Sequence, residues 1–228
     1  MRGARIVCAQ DALKSITLKN AGGDKATVYP FGACVTSYVK GGTDYLMVRP
    51  DAKMDGSKPI SGGIPHCFPQ FGPGAIQQHG FARNVDWDVV ATSGSSATFR
   101  LTPSQYTKDM WDNDFCVDFT VSLTAASLDT KMEVRNTGDK AWDFQAALHS
   151  YFDVSSLKNI EVAGSFAGAT YLDKMLDPPS DQTEAREALT VSEEYDRVYK
   201  GVNDCTLKDS GKGKALAINN GAGWKDTV

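Results

Sequence analysis

The chain has 228 residues, 41% of them apolar and 23% charged, with a formal net charge of −4 and no basic run. That balance is ordinary for a globular protein; it argues against a nucleic-acid or anionic-membrane surface and leaves room for a locally basic pocket around a small anion. The length suits one all-β domain, which buries roughly 70–75% of its unfolded surface and stays folded without disulfides.

Residues 1–12 read as a ragged N-terminus, because MRGARIVCAQ is basic but too short for a complete transit peptide. Residues 13–19 and 25–29 alternate apolar and polar around the turn signal NAGGD, the pattern of a β-hairpin. A strand is expected over 32–39, then a GGTD turn and a strand over 45–48, with a polar, turn-rich stretch at 51–59. Beyond a long loop at 61–83, residues 86–92 and 97–101 flank SGSS as a second hairpin. Residues 102–113 suit a short helical crossing, and 115–123 and 130–136 alternate cleanly. Residues 142–154 (WDFQAALHSYFDV) are apolar and aromatic enough for a central strand. Short strands are expected at 160–163, 170–172, 188–191, 197–199, 204–208 and 214–219, with a polar excursion over 174–187. Regular turns, few helical patterns and no repeat point to an all-β sandwich, with 13–228 as a single domain. Residues 224–228 read as a strand just beginning, so a domain incomplete at its C-terminal end is expected.

The five cysteines (Cys8, Cys34, Cys67, Cys116 and Cys205) are scattered, odd in number and never in a CxxC pair. They read as reduced thiols of an intracellular protein, most of them small core residues. No apolar run approaches the roughly 18 residues of a membrane span. Neither a nucleic-acid nor a membrane partner is expected, and the chain is expected to be a monomer.

Residues 61–83, SGGIPHCFPQFGPGAIQQHGFAR, hold five glycines, three prolines and two of the three histidines. So much Gly and Pro excludes a regular helix or central strand. A loop this long inside a compact domain is usually functional or disordered, and Ile64, Phe68, Phe71, Ile76 and Phe81 anchor it against disorder. It reads as an ordered loop lining a cleft and presenting His79 and Arg83.

Each chemistry-bearing residue has a bland reading beside its functional one. Alternation puts His149 on the face of Ala147 and Tyr151. The pattern by itself favours a hydrogen-bonded core histidine; the alternative is an imidazole that passes a proton near neutrality. His79 is a surface loop residue or a site residue, and Arg83 an ordinary arginine or a planar fork for a carboxylate or phosphate. Asp196 is either a hydroxyl acceptor at a strand edge or a member of the acidic run with Glu193 and Glu194. A metal site from His66, His79 and His149 matches no standard zinc spacing. No phosphate loop of the GxxxxGK[ST] type and no GxSxG nucleophile elbow occurs.

Three blocks, GGIPHCFPQFGPGAIQQHGFARN, ALHSYFDVSSLKNIEVAG and EEYDRVY, together resemble the hexose-6-phosphate mutarotases (glucose-6-phosphate 1-epimerases), a branch of the aldose 1-epimerase family. They stand in the family's order, and the resemblance, strongest to plant and algal members, runs from about residue 13 to 228. It implies a large antiparallel, galactose mutarotase-like β-sandwich and acid–base anomerisation of a sugar without metal or organic cofactor, in the cytosol or a plastid. It assigns His149 as general acid and His79 as a second cleft histidine near the ring oxygen. Asp196 becomes an acceptor for sugar hydroxyls, and Gln78 and Arg83 grip the substrate, Arg83 at the phosphate. Two departures accompany it. Many relatives carry Arg where this chain has Ser61, a loss that Lys58 could offset, and no residue here matches the family's general base, a Glu beyond the strand expected around Trp224. The alternatives are a non-catalytic sugar-phosphate-binding module and an aldose 1-epimerase acting on free sugars.

Overall fold

The computed structural model of the protein describes residues 13–228, so the ragged start expected over 1–12 lies outside the described residues. The chain divides into two compact units, Met1–Asp153 and Val154–Val228.

In the first unit, β1 (Ile16–Lys19) and β2 (Lys25–Tyr29) form the expected hairpin, Ile16 opposite Val28 and Lys19 opposite Lys25. Asn20 closes the turn: its carbonyl accepts from the Gly23 N–H, its side-chain oxygen accepts from the Asp24 N–H, and Gly23 takes a φ of +86°. Strands β3 (Cys34–Lys40) and β4 (Thr43–Asp44) complete a four-stranded antiparallel sheet in chain order. The strand expected over 45–48 is reduced to single bridges at Leu46 and Val48. Asp44 contributes to this by taking the Tyr38 and Leu46 N–H groups onto its carboxylate, a local alternative to a ladder.

The long loop carries only the two-residue β5 (His66–Cys67). A second four-stranded sheet follows in chain order: β6 (Asp88–Thr92), β7 (Ser96–Leu101), β8 (Phe115–Leu123) and β9 (Leu128–Asn136). Between β7 and β8 lies the expected helix, α1 (Gln105–Met110), started by a capping box in which Ser104 and Thr107 exchange side-chain and backbone bonds. Strand β8 shows why period-2 patterning works: Phe115, Val117, Phe119, Val121 and Leu123 are buried in the core. On its other face Asp118, Thr120 and Ser122 meet Arg100, Thr98 and Ser96 of β7.

The central strand expected over 142–154 is not one. Only β10 (Ala147–Leu148), paired with β5, and a bridge at Phe152 are regular. The segment runs along the loop and donates from Gln145, His149 and Tyr151 N–H groups to the carbonyls of Pro69, Pro65 and Gly63. Two of those three partners are prolines, which have no N–H to return, so a full ladder cannot form.

The second unit holds β11 (Ile160–Gly164), β12 (Thr170–Asp173), β13 (Ser180–Thr183), β14 (Ala188–Leu189), β15 (Arg197–Tyr199), β16 (Cys205–Asp209) and β17 (Lys214–Ile218). They form two antiparallel sheets, ordered β14-β11-β16-β17 and β13-β12-β15. Phe166, Tyr171, Tyr199 and Val202 make the buried core of this unit. Beyond β17 the strand expected over 224–228 amounts to one bridge between Thr227 and Tyr199.

All four described cysteines are free thiols. Burial pushes Cys34 up to about 12 and Cys67 up to about 11, which fits inert core residues. Among the described residues no helix is long and apolar enough to cross a membrane.

Candidate active site

The loop at 61–83 is ordered by backbone packing that only glycine allows. A Cβ on Gly63 would stand 2.1 Å from the Val35 carbonyl oxygen, and one on Gly80 would stand 2.1 Å from the carbonyl oxygen of Phe68. Both residues also have φ near +70°. Gln70 binds the loop to itself, its side-chain nitrogen donating to the Gly72 and Ile76 carbonyls while its side-chain oxygen accepts from the Ile76 N–H. Gln145 attaches the loop to the neighbouring segment, accepting from the Phe71 N–H at 3.1 Å and donating its own N–H to Pro69.

Among the described residues His79 is one of two non-glycine residues with positive φ, at +67°. That conformation is costly for an L-residue and is held here by a bond from its N–H to the Gly72 carbonyl and one from the Phe68 N–H to its own carbonyl. Its Nδ1 accepts from the Gly72 N–H at 3.1 Å, which leaves the proton of the neutral ring on Nε2. Phe71 lies against the same ring at a centroid separation of 5.5 Å.

His149 comes immediately after β10, and its backbone N–H is bonded to Pro65. Its ring meets His79 edge-on at a centroid separation of 5.6 Å and stacks on Tyr151 at 5.1 Å. The core reading of His149 is wrong: the side chain is exposed. The alternation that put it on one face with Tyr151 holds locally, although the strand that suggested it does not.

Gln78 is exposed and lends its backbone carbonyl to Arg83, whose Nη2 donates to it at 3.1 Å. Arg83 lies in a 3-10 turn, Ala82–Asn84, and is half-buried. Its Nε is enclosed and meets no acceptor. The edge formed by Nε and Nη2, the usual face for a bidentate anion, is thus partly committed. The charge of Arg83 also reaches Cys67, where it offsets part of the burial effect on the thiol.

His66 is not a partner of the other two histidines. It is fully buried, donates from Nδ1 to the Gly32 carbonyl at 2.9 Å, and packs edge-on against Phe119 at 4.2 Å. Desolvation holds its pKa down to about 4. Among the described residues no group of three His, Cys, Asp or Glu side chains converges as metal ligands would.

Asp196 belongs to the second unit, one residue ahead of β15. Its carboxylate accepts from the Lys174 ammonium at 2.9 and 2.8 Å, a partner that neither the strand-edge reading nor the acidic-run reading supplied. The sequence carried no signal for Lys174, which fell in the polar excursion. The Gln145 tie escaped sequence reasoning as well.

An all-β chain that sets two imidazoles edge to edge at an irregular loop is equipped to exchange protons with a polar small molecule. The family model for aldose 1-epimerase matches residues 14–223, and the chain belongs to that family. Curated relatives from several organisms carry the name "Putative glucose-6-phosphate 1-epimerase". The one from Escherichia coli K12 is 32% identical over 72% of this chain and 58% of its own length. The one from Cenchrus ciliaris is 30% identical over 86% of this chain and 63% of its own. The chain thus spans about three fifths of the length of these relatives. A solved "putative mutarotase" from Salmonella typhimurium superposes with a TM-score of 0.77 at 28% identity, covering 87% of this chain and 68% of its own. The all-β, mutarotase-type fold expected from the sequence is the fold present.

Proposed function

We propose that this chain interconverts the α and β anomers of a hexose 6-phosphate, with glucose 6-phosphate as the substrate, by acid–base opening and closure of the ring. The observation that carries the reading is the His79–His149 pair, with rings 5.6 Å apart and the Nδ1 of His79 already engaged by Gly72. His149 is the general acid: as an imidazolium it protonates the ring oxygen while a base takes the proton from the anomeric hydroxyl. The C1–O5 bond breaks, C1 becomes an aldehyde, the C1–C2 bond rotates, and reclosure on the other face gives the other anomer. His79, with its proton on Nε2, donates a hydrogen bond beside the ring oxygen and keeps the sugar at the distance that proton transfer needs. Gln78 takes sugar hydroxyls, and Arg83 takes the phosphate. No residue of this chain is assigned the base.

One observation favours a second reading, an epimerase of free sugars: Arg83 spends Nη2 on Gln78, and its enclosed Nε cannot join a fork around a dianion. Anomerisation of α-glucose 6-phosphate and of α-glucose, followed by NMR at neutral pH against the spontaneous rates, tests both. In the active protein His149→Asn is expected to lower kcat about 10²- to 10⁴-fold with little change in sugar-phosphate binding. Equal acceleration of both sugars, unaffected by Arg83→Ala, favours the free-sugar reading. Binding of glucose 6-phosphate with no acceleration identifies a binding module.

A further inference from the structure

Residues 77–80 form a turn in which the Gly80 N–H donates to the Gln77 carbonyl at 2.9 Å and His79 takes the third position with φ +67°. A turn with positive φ at its third residue and not its second favours Gly or Asn there. The conformation of His79 is therefore imposed by its surroundings and not by its own preference. Two side chains brace the turn. The Gln77 side-chain nitrogen donates to the Gly80 carbonyl at 2.8 Å, closing the turn a second time beside the backbone bond. The Gln77 side-chain oxygen accepts from the Tyr106 hydroxyl at 3.2 Å. Since the Gly80 carbonyl can only accept, that contact fixes which end of the amide is which and leaves the oxygen to Tyr106.

Tyr106 belongs to α1, whose own position is set apart from the loop: Ser104 and Thr107 cap its start, and Thr107 is fully buried. The Tyr106 ring is 43% exposed, and a neutral hydrogen bond made at such a position adds little to stability. What it does achieve is orientation of the Gln77 amide and, through Gly80, of the turn that carries His79. The same turn presents the His79 ring to Gly72, whose N–H donates to Nδ1. We propose that Tyr106 and Gln77 are positioning residues for His79, acting in series: Tyr106 orients the Gln77 amide, and Gln77 locks the turn that keeps the ring on Gly72 with its proton on Nε2. The consequence for sugar binding rests on the proposed function; the placement of the ring does not.

The test is 15N NMR of the imidazole rings of the 228-residue chain, with glucose 6-phosphate titrated into the same samples and His79 assigned by His79→Gln. The parent is expected to show well-separated Nδ1 and Nε2 resonances for His79, the signature of a single tautomer. Gln77→Met should draw the two together as the other tautomer becomes populated, and weaken glucose 6-phosphate binding about three- to tenfold, the worth of one neutral hydrogen bond. Tyr106→Phe, which removes only an exposed hydroxyl, should move both readouts the same way by less. Added to Gln77→Met it costs nothing more, because it acts through Gln77. Gln77→Glu keeps an acceptor for Tyr106 but has no donor for Gly80, so it behaves like Gln77→Met and replaces it if that variant fails to fold. Unchanged His79 resonances in the Gln77 variants overturn the proposal, as does a lowered melting temperature with those resonances unmoved, the mark of a merely structural contact. Additive losses in the double variant overturn the series. Glucose 6-phosphate that fails to bind the parent counts against the proposed function, and the ring resonances still decide the positioning.

Discussion

His66 is a titratable group sealed in an apolar core, and its burial should be visible as acid sensitivity of the whole fold. The ring is fully buried between Phe119 and Trp87, with Nδ1 donating to Gly32 and no partner at Nε2. Charging it would place a cation against two aromatic rings with no acceptor for the new proton, so its pKa falls from the ordinary 6.5 to about 4 in the fold. The unfolded chain then takes up the proton first as pH falls. Stability is complete above pH 6.5, is lost between 6.5 and 4, and the loss levels off below the folded pKa. A shift of that size corresponds to about 2 kcal/mol lost at pH 5 and about 3 kcal/mol at pH 4. His66→Asn keeps a donor for the Gly32 carbonyl and removes the titration. It costs stability at pH 7.5 through lost ring contacts, so the readout is the slope and not the level. Urea midpoints between pH 7.5 and 4.5 should fall for the parent and stay nearly flat for the variant, the curves converging toward acid. Parallel curves would refute the argument.

Gly63→Ala should destabilise the fold by about 3 kcal/mol or more, since the new methyl meets the Val35 carbonyl at φ +69° in a residue whose own carbonyl accepts from the Tyr151 N–H; an unmoved denaturation midpoint would contradict it. Asp118 is held down to about 2, first by its bond to Arg100 and then, against some desolvation, by Arg135. Its contribution is present above pH 3.8 and lost as pH falls toward 2. Asp118→Asn should remove about 1–2 kcal/mol at pH 7, after discounting for the exposed guanidinium heads, and flatten the acid limb below pH 4, which urea titration at pH 3 and 7 would check.

The strands that read best in the sequence are those whose partners are also strands. β8 and β9 were legible because their alternation matches on both sides of a turn, and the NAGGD and SGSS hairpins because turn chemistry and patterning agree. Residues 142–154 misled because apolar content reports burial of a strand only if a ladder partner exists, and here the partner is a loop with Pro65 and Pro69 at two of the three receiving carbonyls. The same cause misplaced His149, whose exposure follows from the irregular path and not from its neighbours' hydropathy. His79 and Arg83 were legible as loop residues of unusual chemistry, but what Arg83 touches was not. A side-chain donor directed at a backbone carbonyl five residues earlier leaves no trace in composition. Lys174 was invisible for a different reason: its meaning lies in the β12–β15 register, a pairing with Asp196 22 residues away that no local pattern announces.

The division of labour between the two site histidines can be argued from hydrogen bonding alone. In the observed geometry the Nδ1 of His79 accepts from the Gly72 N–H, so a proton added there would face another hydrogen at 3.1 Å between the nitrogens. His79 is thereby suited to donate from Nε2 without changing charge. His149 carries no such restraint from the loop: its backbone is tied to Pro65, its ring rests on Tyr151, and the side chain is exposed. Of two imidazoles in contact, the proposed function gives the one whose ring nitrogen is consumed by the backbone the task of orienting the sugar, and the other that of moving the proton.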